Sequence, residues 1–114
     1  MPTLIIKTNA ELGVDQPTAL LRSASQTVAG MLGKPERYVM VMLEQNPAMC
    51  FAGDSAPLAY LELKSLGLPE QRSADFSSTL CELMQQHLGI AADRVYIEFA
   101  SPPRHLFGFN GGTF

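Results

Sequence analysis

The chain carries one strand–helix–strand pattern twice, and this internal repeat restricts its fold more than any other feature. The segments "LGKPERYVMVM" (Leu32–Met42) and "LGIAADRVYIEF" (Leu88–Phe99) both pass from Leu-Gly through a polar turn and an acid–Arg pair into a β-rich run. A helical stretch precedes each segment, and a β-rich run opened by a proline, Pro2 or Pro57, precedes each helical stretch. Because the period is about half the chain, we predict two β-α-β units in succession.

The two helical stretches have amphipathic spacing and matching end signals. Apolar residues recur at steps of three and four, which is typical of a helix with one buried face. These residues are Leu20, Leu21, Ala24, Val28, Met31 and Leu32 in the first stretch and Phe76, Leu80, Leu83, Met84 and Leu88 in the second. Pro17 lies where a first-turn proline is favoured, and Pro69 precedes the second stretch. Gly33 and Gly89 follow the two stretches, where C-terminal caps are favoured.

Two right-handed β-α-β units predict an α+β fold, a two-layer sandwich in which a four-stranded sheet carries two helices on one face. A chain of 114 residues is long enough for one core of this kind, so we predict a single domain over residues 1–114.

The other face of this sheet has no predicted cover. The run "YVMVML" (Tyr38–Leu43) is apolar at six consecutive positions, which is typical of a strand buried on both sides. The tail "LFGFNGGTF" adds further large apolar side chains without a helical pattern. An apolar face of this size indicates an association surface, so we predict a homo-oligomer whose sheets face inward. Gly111 and Gly112 are predicted to form a bend that lets the tail reach a neighbouring chain.

The charge and the cysteine content indicate which partners and which cellular compartment to expect. The net charge is −3 and the basic residues are scattered, which argues against nucleic-acid or membrane partners. Cys50 and Cys81 are far apart and form no C-x-x-C pair, so we expect two free, core-like thiols in a reducing compartment. With no secretory signal and no membrane-length apolar run, a cytoplasmic location is predicted. His87 and His105 lack ligand spacing, so no metal site is predicted.

Five short motifs in the correct order resemble the macrophage migration inhibitory factor and D-dopachrome tautomerase family. They are the proline after the initiator methionine, "GKPERYVMV", "KSLG", "DRVYIEF" and the closing "NGGTF". The resemblance spans essentially the whole chain. It implies a trimer with pockets at subunit boundaries and a keto–enol tautomerase that needs no cofactor. Small α-keto acids such as phenylpyruvate, and dopachrome-type test substrates, are the implied substrates.

The resemblance also assigns a role to Pro2, which matches the family's catalytic base. Tautomerisation requires a base that removes a proton from the carbon beside a carbonyl, and such a base works best with a pKa near the working pH. Loss of Met1 would leave Pro2 with a free secondary amine. An apolar pocket and a nearby cation, for which Lys34 is available, would lower the pKa of that amine.

The remaining site residues are also carried over from the family. Lys34 matches a lysine that pairs with the substrate carboxylate, and Leu66 matches a residue whose backbone N–H binds the same group. Tyr96 and Glu98 lie on a strand that in the family reaches into a neighbouring subunit's pocket. Four aromatic positions match wall residues, although each could equally be a core residue. These positions are Tyr38, Phe107, Phe109 and Phe114.

Three positions differ from the mammalian inhibitory factor: two concern the pocket, and one concerns thiol chemistry. Glu98 replaces an asparagine, which places a carboxylate near the substrate's acidic end. Phe109 replaces a tryptophan and so lacks an indole N–H donor. The family's C-x-x-C pair falls on Leu58 and Leu61, which excludes thiol–disulfide exchange at that motif.

Two other functions stay open on the sequence. The first is a cytokine-like signalling protein that binds a receptor through the trimer surface, with a vestigial pocket and with export that needs no signal peptide. The second is a related tautomerase that acts on an unsaturated or halogenated acid, and Glu98 is the feature that favours it.

Overall fold

The structure is a computed structural model that describes all 114 residues. Two helices and a four-stranded sheet form its two layers, and a small hairpin closes the chain. The elements are β1 (Thr3–Thr8), α1 (Gln16–Leu32), β2 (Met40–Gln45), β3 (Ala59–Lys64), α2 (Ser73–Leu88), β4 (Val95–Ala100), β5 (Gly108–Phe109) and β6 (Gly112–Thr113).

The sheet has the strand order β2-β1-β3-β4, and its pairing confirms the predicted repeat. Strand β1 is parallel to β2 and strand β3 is parallel to β4, as two β-α-β units require. The two units join through the antiparallel pair of β1 and β3. The repeated sequence therefore becomes a repeated structure.

Both helices end as predicted. Pro17 lies in the first turn of α1, where the missing N–H has no intrahelical partner to lose. Gly33 and Gly89 close α1 and α2 in the left-handed conformation, with φ values of 62° and 65°. A side chain disfavours that conformation, which explains why glycine occupies both caps.

The core lies between the sheet and the helices. Leu4 and Ile6 of β1 and Leu61 and Leu63 of β3 have no exposed surface, and they pack under the helices with their neighbours. The helix side chains that complete this layer are also buried; they are Leu20, Ala24 and Val28 of α1 and Phe76, Leu80, Leu83 and Met84 of α2. Alternate residues of each strand point to the opposite face, which we call the open face.

The open face confirms that the helices cover one side only. Met40 and Met42 of β2 are 58% and 40% exposed, and Tyr96 of β4 is 66% exposed. The strand predicted at Tyr38–Leu43 starts two residues later than expected, and its burial on both sides, which requires a neighbouring chain, stays a prediction. The strand begins at Met40, Tyr38 lies in a 3₁₀ turn, and the Met40 side of the strand faces outward.

Two further predictions need correction. The bend expected at Gly111 and Gly112 is a two-residue turn at Asn110 and Gly111, which folds the tail back against its own chain. Both cysteines are free, but Cys50 is exposed in the loop before β3 and is not core-like.

No helix has the length and hydropathy that crossing a bilayer requires.

Candidate active site

The start of β1 buries Pro2 and brings charged and aromatic groups around the N-terminus. Pro2 is among the fully buried side chains, and its carbonyl accepts a 3.0 Å hydrogen bond from the N–H of Met40. Burial lowers the pKa of the terminal amine, carried here by Met1, and the charges of Lys34 and Arg104 lower it further. An amine with a lowered pKa is available as a base closer to neutral pH.

Aromatic side chains form a cavity of about 190 Å³ on one side of the N-terminus, which we call the aromatic pocket. Its walls come from the turn before β2 and from the C-terminal hairpin. Phe109 stacks on Phe114 with ring centroids 5.1 Å apart, and Tyr38 meets Phe109 edge-on at 5.9 Å. Phe107 contacts Phe114 at 5.8 Å. All four aromatic residues predicted as pocket walls therefore meet beside the N-terminus.

A second cavity of about 370 Å³ contains both cations that act on the terminal amine, and we call it the cationic pocket. It is lined by Lys34, Leu66, Gly67, Ser101, Pro102, Pro103 and Arg104. Lys34 follows the Gly33 cap, where its own N–H donates to the carbonyl of Ala29. The structure thus brings Lys34 and Leu66 to one cavity, and their binding of a shared carboxylate stays a prediction.

Tyr96 and Glu98 lie elsewhere in the single chain. Both are exposed on the open face, at the outer strand of the sheet. Tyr96 packs against Phe51 with ring centroids 4.7 Å apart and borders an apolar cavity of about 430 Å³ beside the loop before β3. Neither residue joins the pockets around Pro2 in its own chain, so their predicted contribution to a neighbour's pocket stays a prediction.

Glu98 has an acidic neighbour that the sequence analysis missed. Parallel pairing of β3 and β4 sets Glu62 opposite Glu98 and Tyr60 opposite Tyr96. The Tyr60 hydroxyl donates to Glu62 Oε1 at 3.2 Å. Desolvation raises the pKa of Tyr60, and the carboxylates of Glu62 and Glu98 raise it further. The sequence carries a signal for this pair, because "AYLEL" and "VYIEF" on the two strands of the second unit both contain Tyr-x-Glu.

Arg104 is the other residue that the sequence analysis missed. It lies in a short turn after two prolines, and no spacing links it to Lys34, which is 70 positions earlier in the numbering. Only the fold brings the two side chains to one cavity.

Comparison with known proteins gives one consistent result. The family model "Macrophage migration inhibitory factor (MIF)" matches residues 1–114. The macrophage migration inhibitory factor homolog of Trichuris trichiura is 36% identical over 118 residues, with all of both chains covered. The rat macrophage migration inhibitory factor is 34% identical over 115 residues, covering 100% of this chain and 99% of its own.

Solved structures agree with the sequence relatives. The macrophage migration inhibitory factor homologue from Prochlorococcus marinus superposes with a TM-score of 0.92 at 40% identity, covering 98% of each chain. The factor from Trichinella spiralis gives a TM-score of 0.91 at 33% identity, covering 98% of this chain and 99% of its own.

Proposed function

Because this chain belongs to the macrophage migration inhibitory factor family over its whole length, we propose that it is a cofactor-free keto–enol tautomerase whose base is the amine of Pro2. The observation that carries the proposal is the position of the buried Pro2 at the start of β1, beside the aromatic pocket and the two cations Lys34 and Arg104. The pKa of the terminal amine at this strand start is lowered, which suits a base that works near neutral pH. Removal of Met1 would transfer the free amine to Pro2, one residue further into the buried strand.

The proposed reaction moves one proton and is redox-neutral. The unprotonated Pro2 nitrogen removes a proton from the carbon beside the substrate's carbonyl. The C–H electron pair becomes a C=C bond, and the carbonyl π pair moves to oxygen. The protonated Pro2 amine then gives this proton to the enolate oxygen, directly or through a water molecule, which restores the free amine; ketonisation is the reverse sequence.

The two pockets bind different parts of the substrate. Lys34 and the N–H of Leu66 bind the substrate's carboxylate, and they thereby hold the reacting carbon near the Pro2 nitrogen. The aromatic pocket of Tyr38, Phe107, Phe109 and Phe114 receives an apolar or aromatic substrate side chain. A dry wall also disfavours the charged form of the amine. Phenylpyruvate, an aromatic α-keto acid, fits both requirements.

Assembly completes the proposal. We infer a homotrimer in which the open face is covered by other copies of the chain, because Met40, Met42 and Tyr96 are too exposed for a solvated sheet face. Tyr96 and Glu98 then line the pocket of a neighbouring copy.

A titration of the amine with a turnover assay tests the proposal. The protein is labelled with ¹⁵N-proline, and mass spectrometry first verifies that the chain begins at Pro2. We expect the terminal nitrogen to titrate below the range of an exposed proline amine, and we expect phenylpyruvate to be tautomerised. Absence of turnover in a folded protein with a free Pro2 amine would reject the enzyme and favour a protein that acts only by binding.

A further inference from the structure

The cationic pocket contains more positive charge than one carboxylate requires. Lys34 and Arg104 both line it, and neither forms an ion pair or a side-chain hydrogen bond within the chain. No acidic residue lines this pocket. Two unpaired cations that face one cavity repel each other, and a ligand that supplies negative charge would relieve this repulsion.

Backbone donors add to the same cavity. The turn at Leu66 and Gly67 leaves both N–H groups without an acceptor in the chain, while the next N–H, of Leu68, donates to the Ser101 hydroxyl at 3.3 Å. Gly67 has a φ of 62°, a conformation that disfavours side chains, which explains the glycine in this turn. The pocket therefore presents an ammonium, a guanidinium and two amide donors, which is a donor set for oxygen anions.

A single carboxylate needs fewer hydrogen-bond donors and less positive charge than the cationic pocket contains. Lys34 and the Leu66 N–H together provide one charge and two directions of hydrogen bonding, which suffice for one carboxylate. Arg104 is not needed to bind that carboxylate. Its planar guanidinium is suited to bind a second carboxylate or a phosphonate in bidentate geometry.

We propose that Arg104 is a specificity-determining residue that, with Lys34, makes the pocket prefer enolisable acids with two negative charges over simple monocarboxylic α-keto acids. The inference rests on the proposed function only in assuming that the substrate's acid group occupies the cationic pocket. Arg104 takes no part in proton transfer. Its effect on specificity is through the affinity for the substrate and therefore through KM, apart from the small effect of its charge on the pKa of the terminal amine.

A matched pair of ligands isolates the second charge. Phenylacetate and phenylmalonate differ only in that phenylmalonate has an additional carboxylate on the same carbon, and neither can be turned over as a keto acid. The ratio of the two affinities is measured by calorimetric titration of the native, assembled protein at low salt and neutral pH. We expect phenylmalonate to bind roughly tenfold more tightly or better, the scale of one hydrogen bond to a charged group.

Variants assign that ratio to Arg104. Arg104→Ala should reduce the ratio to about one, and Arg104→Lys should restore part of it because lysine keeps the charge but loses the bidentate fork. Arg22→Ala is the control, since it removes the same charge from an exposed position on α1. It should leave the ratio unchanged. The side chain of Arg104 is exposed and makes no hydrogen bond within the chain, so its variants are expected to fold.

The outcomes separate this inference from the proposed function. If the wild-type protein binds both ligands equally, or if Arg104→Ala leaves the preference intact, the inference is wrong even when phenylpyruvate is turned over. If the preference depends on Arg104 but no keto acid is tautomerised, the dianion site stands and the proposed enzyme falls.

Discussion

Glu62 and Glu98 lie directly opposite each other on the parallel strands β3 and β4, on the open face of the sheet. Carboxylates in register repel, and the Tyr60 hydroxyl and the ammonium of Lys64, 3.6 Å from Glu62, offset part of this repulsion. The pair arises within the second β-α-β unit, because both of its strands carry Tyr-x-Glu and their parallel pairing sets the two glutamates in register. A change at Glu98 therefore tests both the pairing and the role proposed for that residue.

Glu98→Asn should stabilise the fold by about 0.2–1 kcal/mol, because it removes one of two like charges on paired strands. Phenylpyruvate turnover should rise or change little, since a carboxylate near an anionic substrate disfavours binding. Thermal unfolding and a turnover assay measure the two effects. Glu44→Gln is the matched control, because Glu44 faces Lys7 at 3.7 Å and its loss should not stabilise. A collapse of turnover would instead make Glu98 an essential acid or base.

Arg94→Ala should destabilise the protein by about 2–3 kcal/mol, the loss of several hydrogen bonds from a charged group. The guanidinium of Arg94 donates to backbone carbonyls of the loop before β3, at 2.8 Å to Phe51 and 3.0 Å to Asp54, and to those of Ala56 and Pro57. Arg94→Lys should recover only a small part, since one ammonium cannot reach four carbonyls. Urea unfolding measures the change, with Arg22→Ala as the exposed control.

The pH dependence of kcat/KM should shift when the pocket cations are removed. Burial, Lys34 and Arg104 all lower the pKa of the terminal amine, so the unprotonated base forms at lower pH than it would in water. Lys34→Ala removes the larger of the two charge effects, and the ascending limb of the profile should move to higher pH. Arg104→Ala should move it in the same direction by less. Lys7→Ala, on the open face, should leave the limb in place, and an unmoved limb in Lys34→Ala would contradict the assignment.

The native protein should be a stable trimer at micromolar concentration, as light scattering would measure. Met42 is 40% exposed on the open face, where it lies beside Ile5, so Met42→Lys should weaken the assembly. Val14→Lys makes the same chemical change at a residue that is 97% exposed in the loop before α1, and it should have no effect on assembly. A wild-type monomer would contradict both the trimer and the shared pocket.

The sequence predicted the architecture well because its signals are local. Helix periodicity, the cap glycines and the repeat specify two β-α-β units without knowledge of any long-range contact. The error at Tyr38 has a local cause too. Pro35 and Glu36 accept hydrogen bonds from the N–H groups of Tyr38 and Val39, which makes a 3₁₀ turn of residues that have strand propensity. Apolar periodicity cannot reveal such a turn.

The candidate site was only partly predictable. Pro2, Lys34 and Leu66 were predicted from short motifs, and the structure places Lys34 and Leu66 in one cavity near the N-terminus. Arg104 was missed because its place in the cationic pocket depends on how the loop after β4 lies beside the turn at Leu66 and Gly67. No residue spacing encodes that contact.

Pro2→Ala should reduce tautomerase activity by about 10²–10⁴-fold, the usual contribution of a general base, while the fold and the assembly survive. Alanine leaves a primary amine that lacks the fixed ring, so its lone pair is less well directed. Adding one residue before Pro2 should be equally damaging, because the nitrogen then belongs to an amide and has no usable lone pair. Circular dichroism and light scattering serve as controls for folding and assembly. Activity that survives both changes would make Pro2 an ordinary strand start, which proline tolerates because no sheet hydrogen bond is lost there.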